Sequence, residues 1–166
     1  PTTDIYTLPL HDALPISEQP ELAAGPDWQR NPGERLLLHV GCGHATIDNI
    51  PLSGFRHPAW REIRLDADES VAPDVSGSMT AMPDVPSGTM DAIFSSHSIE
   101  HLYWHDVPKA LAEFLRVLDD DGFLVVTCPD LQAAARMIAE DRLFDTAYQS
   151  AAGPITAFDI VFSYRP

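Results

Sequence analysis

The 166-residue chain has little cysteine, little positive charge and no long apolar run, and each shortage argues against a class of protein. Two cysteines, Cys42 and Cys128, do not make the disulfide framework that holds small secreted domains together. Only 10 lysines and arginines stand against 25 acids, a formal net charge of -15 that repels phosphate backbones and anionic lipid. No stretch approaches the roughly 20 apolar residues of a membrane span, and no charged start with a long apolar centre marks a secretory signal. The expectation is a cytoplasmic protein whose partner is a small molecule, with no nucleic acid and no membrane. What is present, 45% hydrophobic and 21% charged residues, is the composition of an ordinary globular domain with one core.

Residues 1–17 follow neither a helical nor a strand period. They resemble the conceptual translation of a short-read sequencing adapter, so the expectation is an artefact or a disordered arm outside the fold. Residues 18–34, with their prolines and glycines, read as a linker or a lead-in helix around 21–24. Residues 35–166 form the organised domain. Strands are predicted over 36–40, 61–66, 90–96 and 122–128, with a short one at 74–76. Val107, Ala110, Leu111, Phe114, Leu115 and Leu118 recur at helical spacing behind Asp106 and Pro108, and a second helix is predicted from Leu131 to Leu143, capped by Asp130. Strands alternating with helices predict an α/β fold, a Rossmann-like, doubly wound and mostly parallel sheet. Between Gly43 and Arg61, Pro51, Gly54 and Pro58 leave no long amphipathic pattern, so the first crossover is predicted to be a loop or a short helix.

The run from Leu36 to Val40 turns abruptly into Gly41, Cys42 and Gly43. A buried parallel strand reads as such a run, and glycines at its carboxyl end let bare backbone amides approach a ligand. The second strand ends in Asp66, 25 residues after Gly41, where a carboxylate can accept from both hydroxyls of a ribose. The fourth ends in Ser95, Ser96 and His97, followed by Ser98, Ile99, Glu100, His101 and Leu102.

This series resembles the class I S-adenosylmethionine-dependent methyltransferases, and the stretch ending in Glu100, His101 and Leu102 resembles their small-molecule subgroup. His39 stands where that family has an acid, and Ala45 where it has a third glycine. The resemblance implies S-adenosyl-L-methionine as cofactor, bound by His39, Gly41, Cys42, Gly43, Asp66, Ser78, Met79 and His97. Ser78 occupies the place of an acid that meets adenine, and Met79 would wall the base. It implies methyl transfer to an unidentified small molecule, with His97 or His101 facing the acceptor as a proton-accepting base. It also implies about seven strands in a whole domain; about five are legible, so the carboxyl-terminal part, with its closing antiparallel pair, is expected to be missing.

Three other readings compete. His97, Glu100 and His101 also make an H-x-x-E-H pattern, which on a helix binds zinc in a peptidase, but here it begins at a strand end. A nicotinamide oxidoreductase would need glycine at Thr46. A non-catalytic cofactor-binding or interaction module would account for the departures at His39, Ala45 and Ser78. No metal is expected.

Overall fold

The computed structural model describes Trp28 and residues 30–150 and 153–162. The adapter-like segment and the lead-in helix fall at or before residue 27 and lie outside the described residues.

Strands β1 (Arg35–Val40), β2 (Trp60–Asp66), β3 (Val75–Ser76), β4 (Met90–Ser96) and β5 (Leu118–Thr127) form one parallel sheet in the order β3-β2-β1-β4-β5. β1 is central, so both of its faces are covered and Leu36, Leu37, Leu38 and Val40 are all buried, which is why the sequence there is apolar without alternation. Val40 pairs with Leu65 on one side and Ser95 on the other. That register brings the ends of β1, β2 and β4 level. The chain winds outward in opposite directions from β1 and β4, and the crevice above that switch point is where open parallel sheets bind ligands.

The two faces are covered differently. On one, Leu36, Leu38, Val40, Ile63, Leu65 and Ile93 pack with Ala110, Phe114 and Val117 of α1 (Val107–Val117). On the other, Leu37, Ala92 and Phe94 meet Ile50 and Phe55, carried by a loop with two short 3-10 turns, Ile47–Asn49 and Ser53–Arg56. The first crossover is therefore a loop, as its prolines and glycine require. Phe55 compensates for the missing helix by stacking on Phe123 and packing edge-on against Trp60 and Phe94.

Two boundaries differ from expectation by more than a residue or so. β5 starts at Leu118, immediately after α1, and includes Asp119, Asp120 and Asp121, which read as a loop by composition. A bulge between the Met90–Leu118 and Ala92–Phe123 pairs accommodates them. A Cβ on Gly122 would lie 2.9 Å from the Asp119 carbonyl and 3.0 Å from that of Met90, so the glycine belongs to the bulge. Helix α2 (Leu131–Ala139) opens on Asp130, which accepts from the Ala133 amide at 2.8 Å, but it ends at Ala139 rather than Leu143. β6 (Thr146–Ser150) and β7 (Gly153–Thr156) then form an antiparallel hairpin leading into α3 (Ala157–Phe162). An antiparallel pair does exist, but it forms its own two-stranded sheet and does not extend the parallel one.

Candidate functional site

The turn after β1 lies over the crevice. Gly41 and Gly43 have φ of 65° and 52°, the left-handed region where a side chain is strained. Their surroundings differ. A Cβ on Gly41 would stand 2.2 Å from the Ser98 Oγ, whereas one on Gly43 would meet nothing within 4 Å. Gly41 is thus a packing requirement, and the open space beside the turn is at Gly43.

The amides of the turn are mostly spoken for, contrary to the expectation that the turn would present them bare. Gly41 and Cys42 both donate to the Leu65 carbonyl, at 2.8 and 3.4 Å, and Gly43 donates to Asp66 Oδ2 at 2.7 Å. The His44 amide has no acceptor among the described residues. Asp66 also accepts from the Asp68 amide through Oδ1 at 3.0 Å, so it ties the end of β2 to the glycine turn. Each carboxylate oxygen can accept more than one hydrogen bond, which leaves Asp66 capacity toward the crevice.

Arg64, which sequence reasoning passed over, holds this arrangement from beneath. Its Nε donates to the Ala45 carbonyl at 3.2 Å and its Nη2 to that of Gly43 at 2.5 Å. The same guanidinium donates to the carbonyls of Val71 and Ala72 at 3.2 and 3.0 Å, binding the loop after β2 to the glycine turn. Ser98 was also missed as a partner of the turn. It is buried, and its hydroxyl lies 3.3 Å from the Gly41 carbonyl and 3.0 Å from that of Ser96.

His39 is 3% exposed and lies one layer down, inside the sheet. Its Nδ1 is 2.6 Å from Glu62 Oε1 and its ring meets the edge of Phe94 at 5.3 Å. It borders a cavity of about 170 Å³ together with Cys42, Asn49, Ile50 and Ser96. This is smaller than the roughly 300 Å³ at which pockets for whole organic ligands begin. Burial pushes the Cys42 thiol above its ordinary value, against the pull of Arg64. It is a packed residue of the turn.

Of the two residues expected at adenine, Met79 packs on the core, with its Cε 3.8 Å from the point a Gly41 Cβ would occupy. Ser78 is exposed and spends its hydroxyl on its own turn, at 2.8 Å from Thr80 Oγ1 and accepting from the Thr80 amide at 3.2 Å.

At the end of β4, His97 has a φ of 52°, uncommon for a residue other than glycine, though histidine adopts it more often than most. Its amide donates to the Thr127 carbonyl at 2.9 Å, its Nδ1 lies 3.4 Å from Glu100 Oε1, and its ring stacks on Tyr148 of β6 at 5.5 Å. Burial pushes the Tyr148 phenol up, and the carboxylates of Glu100 and Asp159 push it further. Tyr148 was not singled out from the sequence, because it reaches His97 only through the hairpin. His101 is exposed, in a 3-10 turn confined to Ile99–His101. The residues from His97 to His101 therefore do not form the helix that a zinc-peptidase motif needs. Among the described residues no three His, Cys, Asp or Glu gather as a metal site.

A family model described as a methyltransferase domain matches residues 38–126, more than half of the chain. No curated protein matches the chain significantly. Among solved structures, the PH0226 protein of Pyrococcus horikoshii is 17% identical with a TM-score of 0.50, over 64% of this chain and 55% of its own, which shows a shared fold. A protein of Methanococcus maripaludis described as a candidate S-adenosyl-L-methionine-dependent methyltransferase is 18% identical with a TM-score of 0.46, over 65% of this chain and 57% of its own. The chain thus spans a little over half the length of each.

Proposed function

The chain belongs to the methyltransferase-domain family, and from that premise we propose that it binds S-adenosyl-L-methionine over the glycine turn and transfers the methyl group to a small-molecule acceptor. The observation that carries this reading is the pairing of the Asp66 carboxylate with the Gly43 amide at 2.7 Å beside open space at Gly43. The residues present fit a nucleoside: Asp66 accepts from ribose hydroxyls, the His44 amide donates beside it, and Met79 supplies an apolar surface for a base. When bound, the cofactor supplies a methyl group on a sulfonium, poised for in-line displacement.

The chain's own contribution is alignment and proton removal. His97 stands at the end of β4 with one ring face against Tyr148 and Nδ1 3.4 Å from Glu100 Oε1, two contacts that favour one orientation of a half-exposed ring. Nε2 is then the nitrogen left to take a proton from a hydroxyl or ammonium acceptor. His101, exposed and on a short turn, borders the same edge and serves the acceptor rather than the cofactor. His39 and Cys42 act below the ligand, shaping the turn.

Calorimetry with S-adenosylhomocysteine tests the cofactor site. Asp66→Ala is expected to weaken binding by about 1.5–3 kcal/mol, the value of a hydrogen bond to a charged group. Micromolar affinity that survives the substitution unchanged would reject the site. Release of S-adenosylhomocysteine from S-adenosylmethionine across a panel of small acceptors reads transfer separately; binding with no transfer would mark a non-catalytic cofactor-binding module.

A further inference from the structure

We propose that Arg64 is a positioning residue for the cofactor: by drawing the carbonyls of Gly43 and Ala45 inward it turns the His44 amide outward, beside Asp66, as the donor half of a diol-binding pair. This rests on the cofactor reading above and extends it to a residue beneath the ligand.

The argument follows from the planarity of the peptide. In a trans peptide the carbonyl of one residue and the amide of the next point in opposite directions, and the described chain has no cis bonds. The Gly43 carbonyl is bonded to Arg64 Nη2, so the His44 N–H faces away from Arg64. It finds no acceptor among the described residues, although its neighbours do: the Gly43 amide meets Asp66, the Ala45 amide meets the Cys42 carbonyl at 2.9 Å, and the Thr46 amide meets Asn49 Oδ1 at 2.9 Å. The turn is closed by its own Cys42–Ala45 bond over a Gly43 at positive φ, where glycine leaves the central peptide less constrained than another residue would. Arg64 adds a hold on that peptide from outside the turn. Arg64 is suited to it because its planar fork reaches four carbonyls on two loops at once, Gly43 and Ala45 on one side and Val71 and Ala72 on the other. Holding both loops also fixes the separation between the His44 donor and the Asp66 acceptor. One donor beside one carboxylate matches a vicinal diol, in which a hydroxyl both gives and receives.

The test compares S-adenosylhomocysteine with its 2′,3′-dideoxy analogue on the whole chain, by calorimetry, for wild type, Arg64→Met and Arg64→Lys. Wild type is expected to prefer the ribose form. Arg64→Met is expected to lose roughly tenfold in affinity for it, about the effect of one hydrogen bond, while its affinity for the dideoxy analogue barely changes. Arg64→Lys, which keeps the charge but not the fork, falls between. In amide spectra of the wild type, the His44 proton shifts downfield on adding S-adenosylhomocysteine, and in Arg64→Met it does not. Equal losses for both ligands would overturn the proposal, since a merely bracing arginine loosens the site without regard to the diol; no loss at all would also overturn it. A wild type that binds neither ligand would instead reject the cofactor reading itself.

Discussion

Gly41 and Gly43 look equivalent in sequence and share a positive φ, yet adding one methyl to each should give opposite results. In Gly41→Ala the left-handed backbone costs about 1–2 kcal/mol for any side chain. The new Cβ also falls 2.2 Å from the Ser98 Oγ and 2.7 Å from its Cβ. Ser98 is buried and bonded to the Gly41 and Ser96 carbonyls, so it cannot rotate away freely, and overpacking of this kind costs about 1–3 kcal/mol more. The loss of about 2–5 kcal/mol is a large share of a domain stability of about 5–15 kcal/mol. Gly43→Ala meets only the backbone cost of about 1–2 kcal/mol, but its methyl enters the open space beside Asp66 and should weaken S-adenosylhomocysteine binding.

Urea unfolding followed by tryptophan fluorescence and calorimetry on the folded variants separate the two effects. Gly41→Ala should lower the unfolding midpoint more, and Gly43→Ala should lower affinity more. The clash has an internal control. Ser98→Ala would leave the 2.7 Å Cβ contact in place, so only Ser98→Gly should return the steric part of the Gly41→Ala loss, less the roughly 0.5–1.5 kcal/mol of a lost hydrogen bond. Equal destabilisation by the two glycine substitutions, or no rescue by Ser98→Gly, would refute the assignment of Gly41 to packing and Gly43 to the ligand.

Two further predictions concern titration and reactivity. The Arg116 guanidinium, bonded to both oxygens of Glu113 at 2.7 and 2.8 Å, holds that carboxyl below its ordinary 4.5, with help from the Met82 amide. A depressed carboxyl stabilises the fold above its unfolded value and loses that effect as pH falls through the folded one. The midpoint difference between wild type and Glu113→Gln should therefore be full at neutral pH and shrink below about pH 4; a difference independent of pH would disprove the pairing. Cys128 is exposed and Cys42 buried with a raised thiol, so iodoacetamide at pH 8 should label Cys128 first, and comparable rates at both would contradict the burial of the turn.

What was legible in the sequence was whatever depends on near neighbours. β1 showed because both of its faces are buried, α1 because its apolar residues recur at helical spacing, and the loop crossover because proline and glycine forbid a helix. The start of β5 was hidden by Asp119, Asp120 and Asp121, whose charge reads as loop but which an edge strand tolerates, since its outer side is open to water. Around the crevice, the placement of Gly41, Gly43 and Asp66 at neighbouring strand ends was visible because strand ends can be counted from the sequence. Arg64, Ser98 and Tyr148 were not, because their partners are backbone carbonyls or rings brought near by the fold. Arg64 read as the polar face of a strand, although its acceptors lie 19 and 21 residues before it and 7 and 8 after.

His39 shows most clearly how sequence pattern and structure can disagree at one position and agree in chemistry. In the sequence it is a departure, a histidine in place of an acid at the end of the first strand. In the sheet it is buried, where an unpaired imidazole nitrogen would be costly, and the register that sets Leu37 opposite Glu62 brings the Glu62 carboxylate to its Nδ1 at 2.6 Å. A carboxylate of β2, one strand away, thus pairs with the histidine that stands where the resemblance has an acid. Together with Asp66 above it and Arg64 beside it, Glu62 makes β2 the strand that holds the glycine turn at every level: the imidazole beneath, the carbonyls at the turn, and the amide at its lip. The polar alternation of β2, which by composition is only a solvated strand face, therefore holds His39 and the glycine turn through Glu62, Arg64 and Asp66.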